Sequence, residues 1–556
     1  MSVICNFGSQ RYLRFNFKFK HNARLIINRF FIVIHISILL ISCNLNSKNS
    51  TKEIIRFNSA TGITSLDPAY ARTQENIRAV NQVFSGLVKL NNQLNVVPSI
   101  AKKWSISEDA KTYTFVLNSG VFFHNHPVFK IQNREVVSSD FEYSFNRIID
   151  PLTASDGAWI FNDIIDQSQP FTSINDTIFQ IKLNKPFAPF LNILTMAYCF
   201  VVPREIVELY GDEFGKKPIG TGPFMFANWS DGIKLNMIRN PNYFESTQQN
   251  SIPKLDGISI SFIQSKQTEL LEFIQGNLDL FTGLESSFKD EILTNDGTLN
   301  AKYLEDFKIQ ISPFLNTEYL AFNMEDESSP IHDLNYRKAI HHCINREAMI
   351  NFLRNGIGTP ANGGFIPIGL PGHINYDNSS FDLDLARKYI QKSNADKNQP
   401  ITLTTTSNYL DLCILVQKNC AEIGIEVKID VVPSSLLKQQ KSAGDLTFFR
   451  SSWIADYPDG ENFMACFYGP NKAPNGPNYS RYSNMQFDQN YNELIACTDN
   501  SIKKKLFKKM ENILHEDQPF ILLFYDESIW IKNKKIKQIN VNALNHLDLR
   551  FTDFKS

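Results

Sequence analysis

Two histidines in the segment FFHNHPVF, His124 and His126, have a spacing that could bind a metal ion. Residues two apart on a strand face the same side, and imidazole is a common zinc ligand. No third ligand is identifiable from the sequence, and the alternative is a surface hairpin. His341 and His342 are adjacent, and adjacent helix positions point about 100° apart, which makes them a poor ligand pair. We therefore predict no metal site and no cofactor.

Short catalytic motifs of secreted hydrolases are missing from the sequence. There is no GxSxG nucleophile elbow and no HExxH helix, and HEDQP at 515–519 lacks the second histidine. The glycine-rich PIGTGPF at 218–224 leads into the strand-like FMFANW, which favours a structural turn over a phosphate-binding loop. We predict that the chain is not an enzyme and has no catalytic residues; a secreted hydrolase is the alternative class.

The cysteines form no recognisable metal or redox motif. No CxxC pair occurs among the eight cysteines. Cys413 and Cys420 lie seven apart on a predicted helix, which separates their Cα atoms by about 10 Å, beyond the ~7 Å that a disulfide spans. A disulfide between these two cysteines is therefore not expected.

The first 42 residues have the composition of a secretory signal peptide. They contain basic residues and no acidic residue, and an apolar run from Phe30 to Ile41 follows. That run spans about 18 Å as a helix, which is short of the ~30 Å hydrocarbon core of a membrane. Leu40-Ile41-Ser42-Cys43 resembles the bacterial lipobox, which implies that Cys43 is acylated and becomes the mature N-terminus. The polar residues 43–53 then form a lipid-anchored flexible tether.

The bulk composition indicates a multi-lobed globular protein without affinity for nucleic acid. The chain has 556 residues, 43% of them hydrophobic, and a net charge of −1. Chains longer than about 250–300 residues usually divide into several domains. Nucleic-acid binding usually requires a basic stripe, and the balanced charge provides none.

Helix-like and strand-like segments alternate along the whole sequence, which predicts an α/β or α+β fold. DLCILVQKNCAEIGIEVKIDVVP at 411–433 indicates a helix, a stop at Gly424 and a strand. LNYRKAIHHCINREAMINFL at 334–353 indicates one long amphipathic helix. KTYTFVLNSGVFFH at 111–124 alternates like a β-hairpin with a Ser-Gly turn.

Several segments, in order, resemble one family. SLDPAY at 65–70 is followed by KPIGTGPFMFANWSDGIKLNMIRNPNYF at 217–244, then by YRKAIHHCINREAMI at 336–350 and WIADYPDGENF at 453–463. The chain thereby resembles the extracytoplasmic solute-binding proteins of ABC importers, of the oligopeptide/dipeptide-binding (bacterial family 5) type. The resemblance covers nearly the whole mature chain.

This resemblance implies an α/β (α+β mixed), bilobal periplasmic-binding-protein-like fold of type II with an extra subdomain. After the signal peptide and tether described above, the chain is expected to form two lobes. Lobe I has a core (54–84, 203–305 and 521–556) and an extra subdomain (85–202), and lobe II covers 306–520.

The resemblance also implies a ligand site between the lobes, where a peptide binds in extended form as an added strand. One wall is expected at Ala71, Arg72 and Thr73, and the other at Ser452, Trp453 and Ile454. Asp456 is similar to the carboxylate that holds the ligand's α-ammonium in peptide-binding members.

Alternative roles remain for three of these residues. In these alternatives Asp456 caps a turn before Pro458 or forms a structural pair, Trp453 packs in the lobe interface instead of stacking on a ligand side chain, and Arg72 is a solvated surface arginine instead of meeting a ligand carboxylate.

The implied function is that of a substrate-binding lipoprotein, a monomeric receptor that delivers peptides to an ABC permease without performing chemistry. It would reside in the cell envelope, attached to the membrane by its lipid and facing the periplasm or the cell exterior. The same fold binding a nickel complex, haem or a sugar is the alternative.

Overall fold

The computed structural model describes residues 52–283, 289–376 and 381–555; Cys43, the predicted signal peptide and most of the predicted tether lie outside them. The strands, numbered in chain order, are β1 (Ile54–Asn58), β2 (Val88–Leu90), β3 (Val96–Pro98), β4 (Ala101–Ile106), β5 (Thr112–Leu117), β6 (Phe171–Asn175), β7 (Ile178–Lys182), β8 (Phe224–Ser230), β9 (Lys234–Arg239), β10 (Gly257–Ser261), β11 (Leu280–Thr282), β12 (Phe307–Phe322), β13 (Thr359–Pro360), β14 (Ile401–Thr405), β15 (Val427–Val431), β16 (Phe448–Ile454), β17 (Phe520–Asn533), β18 (Ile536–Val541) and β19 (Leu547–Phe554).

Helices connect and cover these strands. In the described ranges the α-helices are α1 (Gln74–Val83), α2 (Ser138–Ile149), α3 (Phe190–Ile193), α4 (Arg204–Tyr210), α5 (Lys266–Ile274), α6 (Lys289–Ile292), α7 (Leu334–Cys343), α8 (Arg346–Ala348), α9 (Leu383–Lys392), α10 (Leu410–Ala421), α11 (Ser434–Ala443), α12 (Glu461–Met464), α13 (Met485–Ala496) and α14 (Asn500–Asp517). The predicted helix, Gly424 stop and strand are confirmed as α10 and β15, with Gly424 at φ +79°.

Two four-stranded sheets lie in the first half of the chain. One has the order β1-β10-β9-β8 and the other β4-β5-β7-β6. The predicted hairpin at 111–124 is wrong, because β5 pairs with β4 and β7. The residues after the Ser-Gly turn instead bond to a later segment, with Phe123 N donating to Arg134 O and Val136 N to Val121 O.

The largest sheet has seven strands, in the order β11-β17-β12-β16-β14-β15, with β13 beside β17. Its long antiparallel strands β12 and β17 pair over most of their length, and their register shifts between Pro313 and Thr317. Before the shift β12 pairs with the part of β17 that pairs with β11 on its other side, and after it β12 also pairs with β16. β12 and β17 therefore connect the part of the sheet that contains β11 with the part that contains β16.

The predicted long helix at 334–353 is wrong, because it divides in two. α7 ends at Cys343, and Ile344 is extended. Asn345 begins a new helix by accepting a hydrogen bond from Ala348 N, and a π-helical turn covers Met349–Leu353. The buried Arg346 guanidinium donates to carbonyl oxygens at the break and to Leu522 O in β17. The hydrogen bonds of Arg346 thus stabilise the break between the two helices.

The segment PIGTGPF forms a close backbone contact with the end of α1. Gly222 N donates to Val83 O at 2.8 Å. A Cβ at Gly222 would lie 2.5 Å from the carbonyl carbon of Val83, so only glycine fits there. The interpretation as a structural turn is confirmed.

His124 packs beside this turn, so its placement on a surface hairpin is wrong. Its Nε2 lies 3.0 Å from Gly222 O, and burial lowers the pKa of His124 to about 4. His126 Nε2 instead bonds to the Tyr210 hydroxyl at 2.9 Å. In the part of the chain that the structure describes, no group of three or more His, Cys, Asp or Glu side chains is arranged to hold a metal.

Among the described residues, no helix combines the length and the apolar character that a membrane span requires.

Candidate functional site

Asp456 stands two residues after the end of β16. Its side chain is exposed to solvent. Desolvation by the surrounding protein nevertheless raises the pKa of Asp456 to about 6, opposed by a hydrogen bond from Asn462. Solvent access combined with strong desolvation is typical of a group on the floor of a cleft.

Asn462 holds Asp456 in position. Its Nδ2 donates to Asp456 Oδ2 at 3.2 Å, and its Oδ1 accepts from Asp456 N at 3.0 Å. The same Oδ1 accepts from the indole Nε1 of Trp453 at 3.0 Å. Among the ion pairs of the described residues, none includes Asp456. The carboxylate is therefore fixed and desolvated but has no cationic partner.

The end of β16 has an open backbone edge. On one side, Ser452, Trp453 and Ile454 pair with Glu318, Thr317 and Asn316 of β12. On the other side, β14 pairs with β16 only at Phe448 and Phe449. In the ranges described, no strand covers the outer edge from Ser452 to Ile454. That edge can accept the backbone of an added strand.

The segment Ala71–Thr73 links a short 3₁₀ turn to α1. Ala71 is buried and Arg72 is exposed. Ala71 N donates to Pro68 O and Arg72 N to Tyr70 O. The Thr73 hydroxyl accepts from Asn76 N as the N-cap of α1. The Thr73 side chain thus has a structural role, whereas the carbonyl oxygens of Ala71 and Arg72 accept no backbone hydrogen bond within the described ranges.

Tyr198 connects this segment electrostatically with Asp456. Burial raises the pKa of Tyr198, the carboxylates of Asp156 and Asp456 raise it further, and Arg72 lowers it. Arg72 itself forms a solvent-exposed ion pair with Asp156 at 3.4 Å. The fold therefore brings residues near positions 72, 156 and 198 close to the loop after β16.

A desolvated cation lies on the β16 side of the same region. Lys441 Nζ donates to Ser451 Oγ at 3.1 Å and sits 4.8 Å from the ring centroid of Tyr479. Burial, assisted by Arg450, lowers the pKa of Lys441 to about 8. Arg450 is paired with Glu318, but none of the ion pairs among the described residues includes Lys441. The charges of Asp456 and Lys441 both shift the pKa of the buried Cys466 thiol, which Asp456 raises and Lys441 lowers.

Comparison with known proteins identifies the family. Residues 95–475 match the model described as "Bacterial extracellular solute-binding proteins, family 5 Middle". The chain belongs to this family of solute-binding proteins.

The relatives of this binding protein are named after different ligands. Heme-binding protein A of Haemophilus influenzae is 25% identical over 462 residues, which cover 79% of this chain and 81% of the relative. Dipeptide-binding protein DppE of Bacillus subtilis is 22% identical over 535 residues, which cover 91% and 93%. The periplasmic binding protein DppA of Helicobacter pylori, solved with the peptide STSA, has a TM-score of 0.75 at 24% identity and covers 92% of this chain and 100% of that chain. The predicted α/β (α+β mixed) bilobal fold is confirmed.

The fold of this binding protein brings the segment 71–73 close to the loop after β16, the two regions where the sequence predicted contacts to the ligand. Trp453 is half-buried with its indole N–H satisfied by Asn462, and Arg72 is a surface residue paired with Asp156. Sequence reasoning missed Asn462 and Lys441. Asn462 stands within the segment WIADYPDGENF, but nothing local shows that its amide folds back onto Asp456.

Proposed function

We propose that this solute-binding protein captures short peptides with a free amino terminus in a cleft between its lobes. The observation that carries the proposal is the open edge of β16 from Ser452 to Ile454, which leads directly to the unpaired carboxylate of Asp456. An extended peptide that adds to this edge satisfies its main-chain groups regardless of its side chains. Asp456 then receives the ligand ammonium in a charge-assisted hydrogen bond.

The opposite wall is assigned to the backbone of Ala71 and Arg72. On the domain division proposed here, this segment belongs to the lobe I core (54–84, 203–305 and 521–556) and β16 to lobe II (306–520), with 85–202 as the extra subdomain. Hydrogen bonds from the peptide to both walls favour the closed arrangement of the lobes, because only that arrangement makes both sets. The protein performs no chemistry in this role and requires no cofactor.

Native mass spectrometry of the chain recovered from cells tests the proposal. A family of co-purified short peptides is the expected result. The mass of haem, a nickel complex or a sugar would instead identify a different solute as the ligand. Haem is the second candidate, because the Haemophilus influenzae relative is named as a haem-binding protein. Cleavage of added peptides would instead indicate a hydrolase.

Lys441 is proposed to receive the carboxylate end of a bound peptide. Its ammonium is desolvated and lacks an acidic partner in the described ranges, so an incoming carboxylate would replace lost hydration. Lys441→Met, which keeps an unbranched side chain one atom shorter than lysine, is expected to weaken binding of a free-acid peptide about tenfold, the effect of one charged hydrogen bond. Calorimetric titration with the matching C-terminal amide is the control; equal losses for acid and amide would contradict this role.

We further propose that the protein is a monomeric lipoprotein that delivers its ligand to an ABC permease. Acylation at Cys43 would anchor the chain to the cell envelope on its periplasmic or exterior side, with residues 43–53 as the tether. Cys43→Ser is expected to move the protein from the membrane fraction to the soluble fraction of fractionated cells. Unchanged membrane association of this variant would exclude acylation of Cys43 as the anchor.

A further inference from the structure

Two buried cysteines from separate helices are in direct contact. Cys343 is the last residue of α7, and Cys420 is the penultimate residue of α10. Both are fully buried, and their Sγ atoms lie 3.8 Å apart. All six described cysteines are free thiols in this structure, and among the described residues none of the other four (199, 413, 466 and 497) has a hydrogen bond to a second sulfur. The contact is therefore specific to this pair.

We infer that Cys343 and Cys420 form a disulfide bond in the mature protein. Family membership places the chain outside the cytoplasm, where thiols in contact are oxidised rather than kept reduced. A disulfide has an S–S distance of about 2.05 Å, so bond formation requires the two sulfurs to approach by under ~2 Å from their 3.8 Å contact. The bond would join residues 77 positions apart, across two helices that pack together.

The oxidation is a thiol–disulfide exchange with a disulfide-bearing protein oxidant of the envelope. The thiolate of one cysteine attacks the oxidant's disulfide, which forms a mixed disulfide and releases one of the oxidant's thiolates. The thiolate of the second cysteine then attacks the first cysteine's sulfur in the mixed disulfide and displaces the oxidant's other thiolate. The two cysteines lose two protons and two electrons in total, and the oxidant leaves as a dithiol. Burial raises the pKa of Cys343 well above its usual value, which keeps the folded thiol unreactive. The bond therefore forms during folding, before α7 and α10 close over the sulfurs.

Peptide mapping of the full chain tests this inference directly. Cells producing the exported protein are quenched with acid, and the chain is denatured in iodoacetamide without reductant, digested with trypsin and analysed by mass spectrometry. The expected product is a cross-linked species of AIHHCINR (339–346) and NCAEIGIEVK (419–428), lighter than the two peptides together by two hydrogen atoms. Treatment with reductant before alkylation should convert it to the two alkylated peptides.

Matched variants show whether the link is specific. Cys343→Ala should release the 419–428 peptide in alkylated form, whereas Cys413→Ala, which changes a buried cysteine on the same helix α10, should leave the link intact. Recovery of both wild-type peptides separately alkylated from quenched cells would overturn the inference. Because that result comes from the unmodified chain, it holds even if a variant fails to fold. It is also independent of which solute the protein binds.

Discussion

Asp456→Asn is expected to lower the affinity for a di- or tripeptide with a free amino terminus by about 10²- to 10⁴-fold. The estimate follows from the roughly 3–5 kcal/mol lost when one partner of a desolvated ion pair is removed. Asparagine preserves the shape of the side chain, so the loss reports the charge of Asp456. Isothermal titration calorimetry near pH 7.5 measures it.

Two controls distinguish loss of the charge from general damage. Asp430→Asn removes an exposed carboxylate from β15 and should leave the affinity unchanged. An N-acetylated peptide should bind the wild-type protein weakly, and Asp456→Asn should change its affinity little. Full affinity of Asp456→Asn for the free-amino peptide would remove the proposed role of Asp456, while membership of the family would stand.

Acidification is expected to weaken binding of the same peptide about 100-fold between pH 7 and pH 4. Desolvation raises the pKa of Asp456 to about 6 in the unliganded protein. A bound ammonium would lower that pKa, so the peptide prefers the ionised carboxylate and protonation opposes binding. The association constant should be nearly constant above about pH 7 and fall about tenfold per pH unit below 6, until the pKa of the complex is reached.

Other buried acids require a control, because Glu461 and Glu511 have pKa values that burial raises to about 7. The pH profile should be measured in parallel with a desamino peptide, which offers no ammonium to Asp456. Its binding should lack the tenfold-per-unit fall between pH 6 and pH 4. Identical profiles for the two peptides would assign the acid dependence to another group and contradict the role of Asp456.

Local structure was predicted well wherever neighbours along the chain determine it. The helix α10, the left-handed glycine at 424 and the strand β15 follow from periodicity and from the conformational freedom of glycine. The ordered segments were sufficient to indicate the family. Prediction failed at Ile344, where helical periodicity continues through the sequence but Arg346 bonds to β17 and interrupts the helix.

The sequence by itself determined the family to which the chain belongs and the elements that neighbouring residues fix, such as α10, the turn at Gly424 and β15. Only the tertiary structure decided that β14 ends its pairing at Phe449 and leaves the next residues of β16 open. It alone set Asp456 against Asn462 and near Tyr198, and placed Cys343 against Cys420. The physical reason is that backbone propensities act over a few residues, whereas desolvation, strand-edge exposure and sulfur contact depend on groups that folding brings together from distant parts of the chain.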